Sequence, residues 1–175
     1  RILSLVTQQP VLGADETRWR MMGKGASNTW QVWTACADKA VYYQIEDNRS
    51  TDAAGKMFSD YGGHIVCDGY SAYSALQKQQ AKRHMTTRFR LVQCWAHVRR
   101  KFFECQKFFP KECGHVLDLI GQLYALEKTV TTDVARLNMR RTQSKPIVEA
   151  IGSWAAKVNP LGQSALGKAI SYMAG

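Results

Sequence analysis

No run of apolar residues in the chain approaches the roughly 18 to 20 that a membrane-spanning helix needs. The first ten residues, RILSLVTQQP, hold too short an apolar stretch for a signal peptide. Five cysteines, at 36, 67, 94, 105 and 113, are odd in number and lack the dense spacing of a disulfide scaffold. Reduced thiols in a cytoplasmic protein are the simplest reading. Acid is scarce: 14 Asp and Glu stand against 24 Lys and Arg, a formal charge of +10. That excess favours a polyanionic partner, nucleic acid first. There is no internal repeat and no low-complexity tract. The chain opens in RILSLV without a methionine and closes in SYMAG, so both ends read as cuts in a longer protein.

What is present is enough hydrophobic residue, 45% of 175, for one packed domain with room for an appended piece. The first half reads as strands. VLGADETRWRMM and NTWQVWTACAD alternate near a period of two, and AVYYQIED is rich in β-branched and aromatic residues. The links GKGASN and ADKA carry turn residues and predict hairpins, hence three antiparallel strands. The period then changes. RSTDAAGKMFSDYG opens on Ser50 or Thr51 as N-cap, places Ala53, Ala54, Met57 and Phe58 at helical spacing and ends at Gly62-Gly63. A strand HIVCD, a helix through SAYSALQKQQAK and an apolar FRLVQCW follow, so the first half predicts an α/β layer. From Ala96 the pattern is helical, with a stripe of Val116, Leu119, Ile120, Leu123 and Leu126 and a proline in the first turn of KPIVEAIGSWAAKV. VTTDVARLNMRRTQSK is polar and basic, compatible with an exposed helix or a mobile linker.

Two acids stand out. In GGHIVCDGYSAY the apolar run stops at Asp68-Gly69. Such a pair makes turns, because aspartate bonds its own backbone and glycine tolerates positive φ. It is also where α/β sheets display chemistry, at the carboxyl end of a strand. Phosphoryl transfer on nucleic acid is commonly done by two divalent metals about 3.5–4 Å apart, held by hard oxygen ligands on rigid supports. An acid inside the first strand and another at the end of the fourth, beside it after the crossover, suit that need. Asp15 in GADET and Asp68 in CDGY occupy those positions. Glu16 points to the opposite face of the strand and is not counted as a ligand.

ADETRW, DNRSTDAAGKMF, VCDGYSAY, CWAHVRRKFFE and LYALEK, in this order and at compatible spacings, resemble transposases of the IS66 insertion-sequence family. The likeness runs from about Leu12 to Met173. It implies a ribonuclease-H-like mixed five-stranded sheet with crossover helices over residues 1–95, incomplete, followed by an all-helical insertion over 96–175. It implies a DDE-type active site binding two Mg²⁺ (or Mn²⁺) ions for DNA strand cleavage and strand transfer, with Asp15 as first acid and Asp68 as second. Transposon ends and target DNA are the implied partners, a homodimer on DNA is compatible with it, and the place is the bacterial cytoplasm, at the nucleoid when bound. In such folds the third acid comes from a helix after the fifth strand, where the nearest candidate is Glu104 in RRKFFECQ. The family's glutamate, however, sits in an Asn-Asn-x-x-Glu-Arg segment downstream of the helical insertion, and no such segment occurs here. The expectation is that the third acid lies past Gly175, that Glu104 is structural, and that this chain alone is inactive. The family's amino-terminal DNA-binding region is likewise expected to lie outside it.

Cys94 and His97 are spaced like half of a zinc site, which Cys105, Cys113 and His115 would have to complete; zinc is not expected, because no second pair follows at finger-like spacing. His97 reads either as a phosphate contact or as a hydrogen-bonded structural histidine. Arg99, Arg100 and Lys101, with Lys82, Arg83, Arg88 and Arg90 upstream, read as a solvated face or as phosphate contacts. Arg49 is placed to orient an acid or a phosphate, and Asn48 and Ser50 read as cap residues. Trp19, Trp30, Trp33 and Tyr42 read as sheet packing, an exposed tryptophan being able to stack on a base. Two other functions remain open on the residues alone: a non-catalytic DNA-binding or assembly module, and a related metal-dependent nuclease that cuts without joining.

Overall fold

The computed structural model describes residues 1–20, 22, 29–84 and 88–174. They form two compact units, Arg1–Cys94 and Trp95–Gly175. In the first, a short helix α1 (Ile2–Thr7) leads into β1 (Val11–Arg20), β2 (Thr29–Ala37) and β3 (Ala40–Glu46). A helix α2 (Thr51–Phe58) crosses to β4 (His64–Cys67), and α3 (Ser71–His84) crosses to β5 (Arg90–Gln93). The sheet order is β3-β2-β1-β4-β5. β1, β2 and β3 pair antiparallel, while β4 runs parallel to both β1 and β5. This is the α/β layer that the pattern predicts, and the mixed five-stranded sheet with crossover helices that the resemblance implies. The expected hairpin link at residues 23–28 lies outside the described residues.

Alternation decides which face is buried. Leu12 and Ala14 of β1, Trp33 and Ala35 of β2, and Ile65 and Cys67 of β4 are buried in one core with Ala53, Ala54, Met57 and Phe58 of α2 and Ala72, Tyr73 and Leu76 of α3. The other parity stays open, with Val11, Tyr43 and Ile45 exposed. Trp33 stacks edge-on with Tyr73 at 5.9 Å, whereas Trp19 is exposed. Ser50 is the N-cap of α2, accepting from Ala53 N at 3.2 Å. α2 stops at Phe58, before the expected Gly62-Gly63: Phe58 O accepts from Tyr61 N at 3.1 Å in a tightened last turn and also from the buried Gln80 amide at 3.2 Å. Glycine is needed at 63: a Cβ there would collide with Pro10 O and the Tyr61 phenol.

The second unit is all helix: α4 (Trp95–Cys105), α5 (Pro110–Glu127), α6 (Asp133–Met139), a π-helical turn (Arg140–Ser144), α7 (Lys145–Lys157) and α8 (Ala165–Ala174). Val98, Phe102 and Cys105 of α4 share its core with Cys113, Val116, Ile120 and Leu123 of α5, Ile151 of α7, and Leu166 and Ala169 of α8. Phe102 meets Trp154 edge-on at 6.1 Å; truncating a phenylalanine so enclosed costs about 3–5 kcal/mol. No helix among the described residues is long and apolar enough to cross a membrane.

Within the segment 130–145 the helix runs from 133 onward, opened by the Thr132 cap on Ala135 N at 3.3 Å and braced by Glu127. At the end of α5 its carboxylate accepts from Arg136 Nη1 at 2.6 Å and from Arg140 Nε at 2.6 Å and Nη2 at 3.0 Å. A basic stretch that alone would repel itself is thereby folded back on one acid. The Arg140 hydrogen bonds, assisted by Arg136 and opposed by partial burial, hold the Glu127 carboxyl at about 2, below the ordinary 4.5. A lowered folded value means the stabilisation is complete above pH 4.5 and is lost as pH falls toward 2. Glu127→Gln should therefore lower the melting temperature at pH 7, with the gap from wild type closing between pH 4.5 and 2. Thermal melts showing an equal gap at both ends would remove Glu127 from this role.

Candidate active site

β1 is the middle strand of the five, paired with β2 on one side and β4 on the other. Its parallel ladder with β4 pairs Val11 with His64, Leu12 with Ile65 and Gly13 with Val66. Asp15 and Asp68 each come two residues after the last of these pairs. They therefore stand level where β4 ends, Asp15 still inside β1 opposite Thr34 of β2. This is the carboxyl end of the parallel pair, where α/β sheets leave room for ligands. Asp15 is exposed, and its Oδ1 accepts from Glu16 N at 3.0 Å. Asp68 is half-buried, and its Oδ1 accepts from Tyr70 N at 2.9 Å. That bond two residues on is the aspartate turn. Turning the chain and presenting a carboxylate are thus done by the same residue.

Glu16 does point to the face opposite Asp15, and that face is the core. Its side chain has 0% exposure. One oxygen, Oε1, accepts from Arg49 Nε at 3.0 Å and from Arg49 Nη2; the other, Oε2, accepts from the Tyr73 hydroxyl at 2.7 Å. Burial pushes the Glu16 carboxyl above its ordinary value against the pull of Arg49 and Tyr73, and the charge of nearby Asp68 adds to the rise. Arg49 is also raised: burial lowers it, and the hydrogen bonds and charge of Glu16, with Tyr70 and Asp68, together outweigh that. Arg49 in turn lies over the Tyr70 ring at 3.6 Å and accepts the Tyr70 hydroxyl on its backbone carbonyl. Its neighbours are pinned, Asn48 Oδ1 accepting from Ser50 N at 3.1 Å and Asn48 O from Trp33 Nε1 at 3.4 Å. Sequence reasoning placed Glu16 on the opposite face without giving it a partner, and gave Tyr70 and Tyr73 no role. The signal was available: an acid in register with Leu12 and Ala14 faces the core and has to find a cation.

Cys67 lies beside Asp68, and burial first and Asp68 second push its thiol up to about 12.

His97, Arg99, Arg100, Lys101 and Glu104 all lie on α4, in the second unit. Arg99, Arg100, Lys101 and Glu104 are exposed. Arg99 sits 5.7 Å over the Phe103 ring and Lys101 5.5 Å over that of Tyr172. His97 is half-buried, with its Nδ1 enclosed and lacking a hydrogen-bond partner among the described residues. Cys105 and Cys113 form a buried thiol pair with sulfurs 3.1 Å apart, and His115 leans on Trp154 at 5.9 Å. Among the described residues, no three His, Cys, Asp or Glu side chains gather as a metal-binding group.

The chain is similar to two proteins of Sinorhizobium fredii described as uncharacterized. To y4jD it is 29% identical over 188 residues, covering 98% of this chain and 37% of that protein. To y4qI it is 28% identical over 187 residues, covering 98% and 35%. It therefore spans little more than a third of the length of these relatives. Among solved structures it is similar to a chain of the simian T-cell lymphotropic virus intasome in complex with PP2A regulatory subunit B56 gamma, at a TM-score of 0.38 and 11% identity, over 87% of this chain and 50% of that one. The family described as Transposase IS66 family matches residues 1–175, and the chain belongs to it.

Proposed function

We propose that this chain carries the acid-bearing core of a DNA transposase, with Asp15 and Asp68 as two of the three carboxylates that hold a pair of Mg²⁺ (or Mn²⁺) ions. The observation that carries this reading is the register of β1 against β4, which brings the two acids level at the end of the parallel ladder. The donor set fits: both are hard carboxylate oxygens, one on the central strand and one on a turn fixed by its own backbone bond. When bound, the metal pair supplies the Lewis acidity that activates water, then a DNA 3′-hydroxyl, and steadies the leaving oxygen. Asp15, being exposed, is open to a phosphodiester from solvent. Arg99, Arg100 and Lys101 take backbone phosphates on the exposed side of α4, which positions DNA without reading its sequence. His97 is a further phosphate contact on the same helix. Arg49 is limited as one, since Nε and Nη2 are engaged by Glu16.

The third carboxylate is proposed to come from outside these 175 residues. Two facts support this: no third acid gathers with Asp15 and Asp68 among the described residues, and the relatives are nearly three times as long. Glu104 then serves α4 rather than catalysis. Transposon ends and target DNA are the substrates, and two copies would act together on a pair of ends.

Asp15→Asn and Asp68→Asn should each weaken Mn²⁺ binding to the chain about tenfold or more in calorimetry, with no strand cleavage by the chain alone. Wild-type affinity in both variants would favour a non-catalytic DNA-binding module, and cleavage by this chain that Glu104→Gln abolishes would make Glu104 the third acid. For the basic face, log affinity for duplex DNA falls with log salt by about 0.9 per phosphate neutralised. The double variant Arg99→Ala, Arg100→Ala should flatten that slope by roughly two contacts, about 1.8; an unchanged slope assigns the pair to solvent.

A further inference from the structure

Glu16 and Arg49 lie next to the proposed metal site without being ligands to it, and the contacts between them lead from one acid to the other. Glu16 follows Asp15 directly and carries Arg49 on Oε1. Arg49 covers the ring of Tyr70 at 3.6 Å and holds its hydroxyl on a backbone carbonyl. Tyr70 N in turn donates to Asp68 Oδ1 at 2.9 Å. A second path closes the loop: Glu16 Oε2 takes the Tyr73 hydroxyl at 2.7 Å, and Tyr73 N donates to Tyr70 O at 3.3 Å. The ring thus joins β1, the β3–α2 link and the β4–α3 turn, three segments with no mutual backbone ladder at this point.

We propose that Glu16, Arg49 and Tyr70 form a clamp that sets the Asp68 carboxylate against the end of β1, making Glu16 and Arg49 positioning residues for the two acids. This rests on the metal-site reading above. Two carboxylates sharing cations repel one another in the empty site, so their spacing has to be imposed by something other than themselves. The clamp does that with a pair whose geometry is specific to arginine. Both N–H groups from one edge of the guanidinium are used on a single oxygen while its face lies on an aromatic ring, and a lysine supplies neither. Groups that fix metal-ligating side chains from behind commonly change metal affinity 10- to 100-fold when removed; here the Tyr70 amide makes the bond to Asp68, and Arg49 and Glu16 stand behind Tyr70.

The test is Mn²⁺ titration of the full chain by calorimetry, with paramagnetic broadening of backbone amide signals and hydrogen exchange at the Tyr70 amide, in wild type, Glu16→Gln, Arg49→Lys, Tyr70→Phe and Asp68→Asn. The clamp predicts about tenfold weaker Mn²⁺ binding in Glu16→Gln and Arg49→Lys, together with faster exchange at Tyr70 and retained cooperative unfolding. Should Glu16→Gln fail to fold, Tyr70→Phe, which leaves the Glu16–Arg49 pair intact and removes one hydroxyl, is expected to weaken Mn²⁺ binding as well. Loss of binding in Asp68→Asn with wild-type affinity in folded Glu16→Gln, Arg49→Lys and Tyr70→Phe overturns the clamp alone. Wild-type affinity in Asp68→Asn overturns the metal site and the clamp with it.

Discussion

A carboxylate sealed from water has to be answered on both oxygens, and the first unit is organised around one that is. Glu16 sits on the core side of the central strand, with two arginine N–H groups on one oxygen and a phenol on the other. Removing one partner from a desolvated pair leaves an uncompensated charge, which costs about 3–5 kcal/mol when burial is complete and less here, where Arg49 keeps contact with solvent. The consequence is directional. Arg49, Tyr70 and Tyr73 are committed to Glu16 and to one another, so the β3–α2 link and the turn after β4 are tied to β1 at the level of Asp15 and Asp68. The sheet supplies the register of the two acids, and the buried pair supplies the rigidity of the turn that presents one of them.

The two faces of β1 divide the labour. Successive residues point to opposite sides, so Asp15 is on the open face and Glu16 in the core, adjacent in sequence and opposite in environment. One remains hydrated and available. The other is enclosed, with its affinity for a proton raised by burial. The helical unit repeats the theme at lower stakes: Glu127 gathers Arg136 and Arg140 at a half-buried site, where screening is stronger, and braces a polar basic stretch whose helix is continuous with α7.

Much of the architecture was legible because it rests on local periodicity. Strand alternation, the Ser50 cap, the proline at the start of α7 and the apolar stripe of α5 all act within a few residues, and the sheet topology follows from two hairpins and two crossovers. The misses have a common physical origin. α1 is six residues without a capping side chain, too short to carry a pattern, and is held by packing of Val6 in the core. The carbonyl at the end of α2 is shared with Gln80, more than twenty residues away in sequence. The helix from 133 to 145 is braced by an acid at the end of the preceding helix. In each case the partner lies outside the window in which periodicity is read.

The same division applies to the site. The amino-acid sequence by itself determined that an acid lies within the first strand, that a second lies where the fourth ends, and that the chain belongs with transposases of one family, because strand order and motif spacing are linear properties. Only the tertiary structure decided that Glu16 is a buried partner rather than a spare acid, that Arg49 is held by it, and that Tyr70 links that pair to Asp68. Those facts depend on which faces and turns meet in space. A charge withdrawn from water must be neutralised by whatever group the fold brings beside it, and no local pattern names that group.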